Sequence, residues 1–305
     1  MTSLSRTILE QYQVRKSKKQ KSAFIEMMQQ HFPELQVQKG GFPKCRNLIV
    51  GDVEKAKIIL TAHYDTCSQL PLPNFIAPKN FMLTALYSVL FILPIALAMY
   101  LAAALAALVT TDFHLHYAAS LAAYLLFMVF LLAGPANKHT ANDNTSGVIL
   151  LCELIQTLSV QQKEQVAFVF FDHEETGLLG STLFHKRFKK IMDDKLLINF
   201  DCVSDGDHMM VSASKAARAD WGDQLKAAFL PTDEKSILFT RSERTHYPSD
   251  QVGFKKAVAV ASLKHKKFLG YYMDRIHTSK DTVFDTTNIT LLCNCILRLL
   301  KAIQA

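Results

Sequence analysis

The middle of the chain carries two long apolar runs. Residues 81–109 contain no charged side chain, and a second apolar run covers residues 113–133 after a break at 110–112. As helices the two runs would be roughly 43 Å and 31 Å long, and the hydrocarbon core of a bilayer is about 30 Å thick. We therefore predict a two-helix membrane hairpin over residues 81–133, antiparallel because its turn is so short.

The charges that flank this hairpin indicate its orientation. Lys79 precedes it and Lys138 follows it, whereas the turn contains no Lys or Arg. Because basic residues concentrate on the cytoplasmic side of membrane helices, we expect a multi-pass membrane protein whose globular part is cytoplasmic. The alternative is a pair of buried helices in a soluble protein, but two adjacent runs of this length rarely fit inside one core.

Outside the hairpin, short apolar runs alternate with segments of helical periodicity. Residues 4–31 have apolar positions at helical spacing, which predicts a helix over this range, and residues 47–50 and 57–62 have the composition of strands. After the hairpin we predict helices at 145–158, 178–191, 216–229 and 287–303, and strands at 166–171, 196–200, 209–212, 237–240 and 257–263. This alternation predicts an α/β three-layer sandwich in which helices flank a central mixed, largely parallel β-sheet. Residues 1–80 and 134–305 would form this one domain, interrupted by the hairpin at 81–133.

Composition narrows the classes of partner. The 305 residues carry a formal net charge of +7, but no phosphate loop, zinc-finger spacing or RNA-binding aromatic motif accompanies it, so no nucleic-acid partner is predicted. Much of the excess positive charge lies in one basic run, which comprises Arg15, Lys16, Lys18, Lys19 and Lys21. We interpret this run as a solvated helix face or as a surface patch that rests on anionic membrane lipid. The six cysteines show no CxxC spacing, as expected of reduced thiols in the cytoplasm.

Polar side chains stand at the ends of several predicted strands. His63, the pair Glu174-Glu175 and Asp201 each come at or just after such an end. Because ligands bind beyond the carboxyl ends of strands in open α/β sheets, we expect these side chains to converge. Imidazole nitrogen and carboxylate oxygen are the ligands that zinc accepts. Asp65 can accept the second N–H of His63 and fix the ring, and one of the two glutamates can bind metal while the other acts as a general base.

In chain order these motifs resemble those of peptidase family M28, the co-catalytic zinc peptidases that include aminopeptidases and glutaminyl cyclases. The resemblance extends from about Asn47 to the C-terminus, without the hairpin. His63 and Asp65 match the family's HxD motif, Asp143 in ANDNTSGV its bridging aspartate, Glu174 its catalytic base, Glu175 and Asp201 its terminal ligands, and His277 in IHTSKDT its last ligand.

The resemblance implies a fold of the zinc-exopeptidase type and a cofactor of two Zn²⁺ ions, although Co²⁺ or Mn²⁺ can occupy such ligands. It implies two sets of metal ligands and two catalytic residues. One ion would be held by His63, Asp143 and Asp201, and the second by Asp143, Glu175 and His277, with Glu174 as the base and Asp65 as the orienting residue.

The activity that the resemblance implies is hydrolysis of a peptide substrate by a membrane-anchored metallopeptidase, and an aminopeptidase is favoured. A carboxypeptidase, an amide deacylase and a glutaminyl cyclase stay open as uses of the same site, as does an inactive membrane scaffold. Arg241 and Arg244 are candidates to receive a substrate carboxylate. Ser249-Asp250 resembles a pocket segment of the family in which Gln251 replaces a histidine. No substrate-binding residue and no oligomeric state is predicted.

Overall fold

A central β-sheet organises the computed structural model, which describes residues 1–70 and 74–303. Within these residues the sheet has nine strands: β1 Gln36–Gly40, β2 Cys45–Val50, β3 Ile58–His63, β4 Val166–Phe171, β5 Leu196–Phe200, β6 His208–Ala213, β7 Ser236–Arg241, β8 Ala257–Lys266 and β9 Gly270–Tyr272. The strand order is β1-β2-β4-β3-β5-β8-β6-β7, and β9 pairs with β8. Every residue of β3, β4 and β5 is buried, as their continuous apolar sequences predict.

The direction of the strands determines which of their ends meet. β3 is parallel to both β4 and β5, and β5 is parallel to β8. The pairs β1-β2, β2-β4 and β6-β8 are antiparallel. The sheet is therefore mixed, as predicted, and the carboxyl ends of its central parallel strands lie at one edge.

Helices cover both faces of the sheet, which confirms the predicted three-layer α/β fold. The helices of the globular part are α1 Ser3–Gln11, α2 Lys18–His31, α5 Gly147–Thr157, α6 Val160–Lys163, α7 Leu179–Met192, α8 Lys215–Ala228 and α9 Thr286–Ala302. Alternate residues of one strand face opposite layers: Leu60 packs with the layer of α1, α5 and α9, while Ile59 packs with that of α7.

The N-terminal segment differs from its prediction as one continuous helix. Residues 12–17 break it, and Ser17 caps α2 in a capping box with Gln20. The break has a physical reason, because Arg15 is fully buried and its Nε donates to the carbonyl of Tyr64 at 2.5 Å. The interpretation of the basic run as a solvated face or a lipid patch is therefore wrong for Arg15 and Lys21, which are both buried. Strands β1 and β9, both short, were not predicted.

The predicted hairpin consists of α3 Phe81–Ala107 and α4 Phe113–Ala133, which pack against each other. Neither helix has a buried residue, and by length and composition both are sufficient to cross a membrane. Asn80 and Asp112 cap their N-termini. The base of α3 is attached to the globular part through Thr84, whose Oγ1 donates to the carbonyl of Ala77 at 3.1 Å.

Candidate active site

The six metal-ligand and base candidates come from five different segments and meet at the carboxyl edge of the sheet. His63 is the last residue of β3, Asp201 directly follows β5, and Glu174 and Glu175 lie in the loop after β4. Asp143 lies in the turn that leads into α5, and His277 lies in the loop between β9 and α9. This confirms the expected convergence of strand-end side chains, and it brings Asp143 and His277 to the same place.

The first group of ligand candidates surrounds one oxygen of Asp143. His63 Nε2 lies 3.3 Å from Asp143 Oδ1 and 3.4 Å from Asp201 Oδ1. All three side chains are at least nine-tenths buried, and their donor atoms lie within 4.8 Å of one another. Three oxygen and nitrogen donors at this spacing can surround one divalent cation.

The second group lies at the other oxygen of Asp143. His277 Nε2 is 2.9 Å from Asp143 Oδ2 and 3.2 Å from Glu175 Oε2. The two oxygens of one carboxylate therefore face two different sets of ligands. This is the arrangement that a bridging aspartate requires.

Asp65 supports the site in a way that the sequence did not predict. Its carboxylate accepts the backbone N–H groups of Glu174 at 3.0 Å and Glu175 at 3.3 Å, so it holds the glutamate loop. Nδ1 of His63 lies 3.7 Å from Asp65 Oδ1 but 3.1 Å from the backbone oxygen of Asp65. The ring is thus oriented by the backbone carbonyl of Asp65, and the carboxylate acts on the neighbouring loop.

A second carboxylate fastens the loop that carries Asp143. Asp281 accepts the backbone N–H groups of Asn142 at 2.8 Å and Asp143 at 3.0 Å. Asn144 ties the same loop to the end of β5, because its Nδ2 donates to the carbonyl of Phe200 at 2.8 Å. The motif HTSKDT contains Asp281, but no role was predicted for this residue. Its position four residues after His277 could have indicated that it lies close to the site.

The backbone is unusual beside these ligands. His173, Cys202 and His277 are non-glycine residues with φ near +60°, a region that L-residues rarely adopt. One precedes Glu174, one follows Asp201, and the third is itself a ligand candidate. Such outliers persist where the surrounding structure enforces them, and they concentrate at functional sites.

Comparison with known proteins places this arrangement in a family. The model of peptidase family M28 matches residues 121–300. The chain belongs to peptidase family M28. No curated protein matches the chain.

Three solved structures share the fold of this M28 domain. The aminopeptidase LapA of Legionella pneumophila aligns with a TM-score of 0.56 and 14% identity over 98% of this chain and 70% of its own. Glutaminyl cyclase of Porphyromonas gingivalis aligns with a TM-score of 0.57 and 14% identity over 99% of this chain and 97% of its own. A Zn-dependent exopeptidase of Parabacteroides distasonis aligns with a TM-score of 0.56 and 12% identity over 98% of this chain and 96% of its own. At these identities the likeness establishes the fold, which agrees with the zinc-exopeptidase type.

Negative charge is concentrated in the M28 site. Burial, and then the nearby charge of Glu175, raises the pKa of Glu174 well above its ordinary value against the opposing effect of His63. Burial also raises the pKa of Glu175. Burial alone would lower the pKa of His63, but the carboxylates around it, first that of Glu174, raise it well above its ordinary value. The carboxylates around His63 thus favour its cationic form.

The donor set fits divalent metal ions. Among the described residues, Glu175 Oε1 is buried without a hydrogen-bond partner, and buried polar atoms are normally satisfied. An ion would supply the missing partner and the positive charge that the carboxylates lack. Nitrogen and carboxylate oxygen are ligands suited to zinc, in agreement with membership in a zinc peptidase family.

Two cavities border the ligand cluster, and both are lined by Glu175 and His277. The first, of about 240 Å³, is also lined by Glu174, by Tyr247 and, from the hairpin, by Thr84 and Tyr87; we call it the base cavity. Tyr247 fixes one ligand, because its hydroxyl donates to the carbonyl of Asp201 at 3.2 Å. The first helix of the hairpin, α3, therefore contributes to the wall of the cavity that contains the candidate base.

The second cavity, of about 500 Å³, is lined by residues of the N-terminal segment and of the end of α4, among them Lys16 and Leu132; we call it the lysine cavity. Cys67 also lines it, and its Sγ lies within 4.8 Å of donor atoms of Glu175 and His277. Sequence reasoning did not single out Cys67, although it stands only two residues after Asp65.

The other residues noted in the sequence belong to neither group of ligand candidates. Arg241 and Arg244 are exposed and line neither the base cavity nor the lysine cavity. Ser249 is buried and accepts from Asn199 Nδ2 at 3.0 Å, which is a structural contact within the domain. Burial raises the pKa of Asp250 to about 7.

Proposed function

We propose that this protein is a membrane-anchored aminopeptidase that uses two zinc ions. The observation that carries the proposal is the position of Asp143, whose Oδ1 faces His63 and whose Oδ2 faces His277. A carboxylate that is shared in this way is suited to bridge two ions. His63, Asp143 and Asp201 would hold one zinc ion, and Asp143, Glu175 and His277 the other.

Zinc bound there would lower the pKa of water and stabilise negative charge on the carbonyl oxygen of the substrate. Glu174 lines the base cavity next to the first ligand group, where its carboxylate can accept a proton. We assign it the role of taking a proton from the attacking water and delivering it to the leaving amine. Asp65 positions this base through the backbone N–H of Glu174.

The hairpin gives the proposal its membrane component. Both of its helices are apolar and unburied, and its flanks, Lys79 and Lys138, are basic. We infer that α3 and α4 cross the bilayer and that the M28 domain lies on the cytoplasmic side. Because Thr84 and Tyr87 line the base cavity, the reacting bond would lie close to the membrane surface, and peptides near the membrane would be suitable substrates.

The test combines metal analysis with a substrate panel on the full chain purified in detergent. We expect two zinc ions per chain and release of N-terminal residues from peptides. Glu174→Gln should keep both ions and lose about 10²–10⁴-fold in kcat, which is the usual contribution of a general base. Glu164→Gln alters an exposed glutamate and should change neither quantity.

Other outcomes would redirect the assignment. Loss of metal in Glu174→Gln would make Glu174 a ligand and exchange its role with that of Glu175. Release of C-terminal residues, hydrolysis of N-acyl amides or cyclisation of N-terminal glutamine would replace the aminopeptidase by one of the other uses of the site. A metal-loaded protein without any of these activities would support an inactive scaffold.

A further inference from the structure

The lysine cavity contains an ammonium group that the proposed chemistry does not use. Lys16 follows the buried Arg15 in the segment between α1 and α2 and is half-buried. Its Nζ donates to the carbonyl of Leu132 at 2.5 Å and to Ser68 Oγ at 2.7 Å. An ammonium has three N–H donors, so these two contacts leave one for another acceptor.

The backbone around Lys16 is held rigidly against the site. The N–H of Arg15 donates to Thr66 Oγ1 at 3.0 Å, and Nη1 of Arg15 donates to Thr145 Oγ1 at 3.1 Å. Thr66 lies three residues after His63, and Thr145 lies two residues after Asp143. The lysine is therefore positioned relative to both groups of ligand candidates.

The two lysines that line this cavity, Lys16 and Lys21, differ in whether a carboxylate of the protein neutralises their charge. Lys21 Nζ lies 2.6 Å from Asp172 Oδ1, so its charge is neutralised within the protein. Lys16 takes part in none of the ion pairs formed between residues of the described part of the chain, and both of its acceptors are uncharged. Partial burial lowers the pKa of Lys16. An anion in the cavity would stabilise this unpaired charge.

We propose that Lys16 binds a carboxylate of the substrate, so that the enzyme prefers short peptides with a negative charge a few atoms from the scissile bond. The proposal rests on the proposed function, because it places the reacting amide at the ligand cluster. Glu175 and His277 line the lysine cavity together with Lys16, so one short ligand can reach both. A lipid phosphate, the other anion that could pair with Lys16, offers no amide bond to the ligand cluster.

The carboxylate can be the C-terminus of the peptide or an acidic side chain. Two sets of peptides distinguish these two possibilities. One arm compares di-, tri- and tetrapeptides as free acids with the same peptides as C-terminal amides. A second arm uses tripeptide amides that carry glutamate or glutamine beside the scissile bond. A charged hydrogen bond corresponds to about 10- to 100-fold in affinity. Lys16→Met should therefore raise KM by about this factor for one class of acidic peptide and leave its neutral counterpart unchanged.

Lys16→Arg should restore most of the preference, and Lys19→Met is the matched control. Lys19 carries the same charge in the first turn of α2, close to Lys16 in the chain, but is exposed, so its loss should not change KM for either member of a pair. Metal content of each variant, measured alongside, checks that the site remains intact. An equal change in KM for acid and amide would overturn the proposal, since it would show that Lys16 only caps the end of α4.

Binding measurements separate this proposal from the proposed function. Calorimetry with Glu174→Gln, with and without Lys16→Met, measures peptide affinity without turnover. Weaker binding of the acid alone supports the carboxylate subsite even if the wild-type protein hydrolyses none of the peptides, an outcome that would reject the peptidase. If Lys16→Met leaves peptide affinity unchanged and weakens only binding to vesicles that contain anionic lipid, a lipid phosphate is the occupant and the proposal is wrong.

Discussion

Helices α5 and α3 are both apolar, yet they lie in opposite surroundings. Eight of the eleven residues of α5 are buried between the sheet and the helices of its layer, whereas none of the 27 residues of α3 is buried. Both sequences avoid Lys and Arg. Hydrophobicity alone therefore does not indicate which apolar helix belongs to the core. Their lengths differ, because α3 with 27 residues is long enough to span a bilayer and α5 with 11 is not.

The two regions also differ in what they contribute to the active site. The M28 domain supplies the metal-ligand candidates and the base from loops at the edge of its sheet. The hairpin supplies Thr84 and Tyr87 to the base cavity and Leu132 to the lysine cavity. The chemistry can thus be assigned to the domain, and the position and walls of the site depend in part on the hairpin.

The largest expected effect comes from the ligand that both metal groups share. Asp143→Ala should lower metal content toward zero and reduce activity to background, because both ions lose a ligand. Asp112→Ala makes the same change in the turn of the hairpin and removes only the N-cap of α4, so metal content should not change. Metal analysis and peptide hydrolysis measure both variants. Full metal occupancy and near-normal turnover in Asp143→Ala would refute the assignment of the site.

The membrane assignment predicts that cysteines in the two regions differ completely in their reactivity toward a reagent added outside the cell. Thr111 in the hairpin turn and Ser242 in the domain are both exposed. Thr111→Cys should react with an impermeant maleimide added to intact cells, and Ser242→Cys should react only after lysis. Both changes are made with Cys293→Ser, because Cys293 is half-buried while the other five cysteines are buried. Labelling of both positions from one side, or release of the protein by a carbonate wash, would contradict the topology.

Much of the fold could be predicted from the sequence because its central strands are continuous apolar runs. Strands β4 and β5 have the predicted bounds. The short strands β1 and β9 could not be found in this way, since neither of their sequences, QVQKG and GYY, is a continuous apolar run; each pairs with the neighbouring strand of its own hairpin. The break between α1 and α2 did have a local signal, because residues 15–22 are all polar and Ser17 forms a capping box with Gln20. The burial of Arg15 against the carbonyl of Tyr64, in contrast, follows only from the fold.

The site shows a similar division. Motifs and their order predicted which side chains meet at the edge of the sheet. They did not predict that the carboxylate of Asp65 would hold the glutamate loop, or that Asp281 would hold the loop of Asp143. Nor did they indicate Lys16, because a lysine in a basic run has no local signal that distinguishes a cavity from solvent. Such contacts join segments that are distant in sequence, and they follow only from the fold.

The smallest expected effect, and the most direct comparison of the two regions, concerns a leucine in each. Leu150 in α5 is fully buried, whereas 57% of Leu97 in α3 is exposed. Leu150→Ala leaves a cavity in the core and should lower the free energy of unfolding by about 2–5 kcal/mol. We expect lipid or detergent to surround Leu97 both when the M28 domain is folded and when it is unfolded. Leu97→Ala should then change the free energy of unfolding by less than about 0.5 kcal/mol.

Denaturant titration of both variants in one detergent measures these free energies. The signal is the fluorescence of Trp221, the single tryptophan, which lies in α8 and packs against the core. Equal destabilisation by the two changes would mean that Leu97 packs against the M28 domain, and the comparison with α5 would then have to be revised.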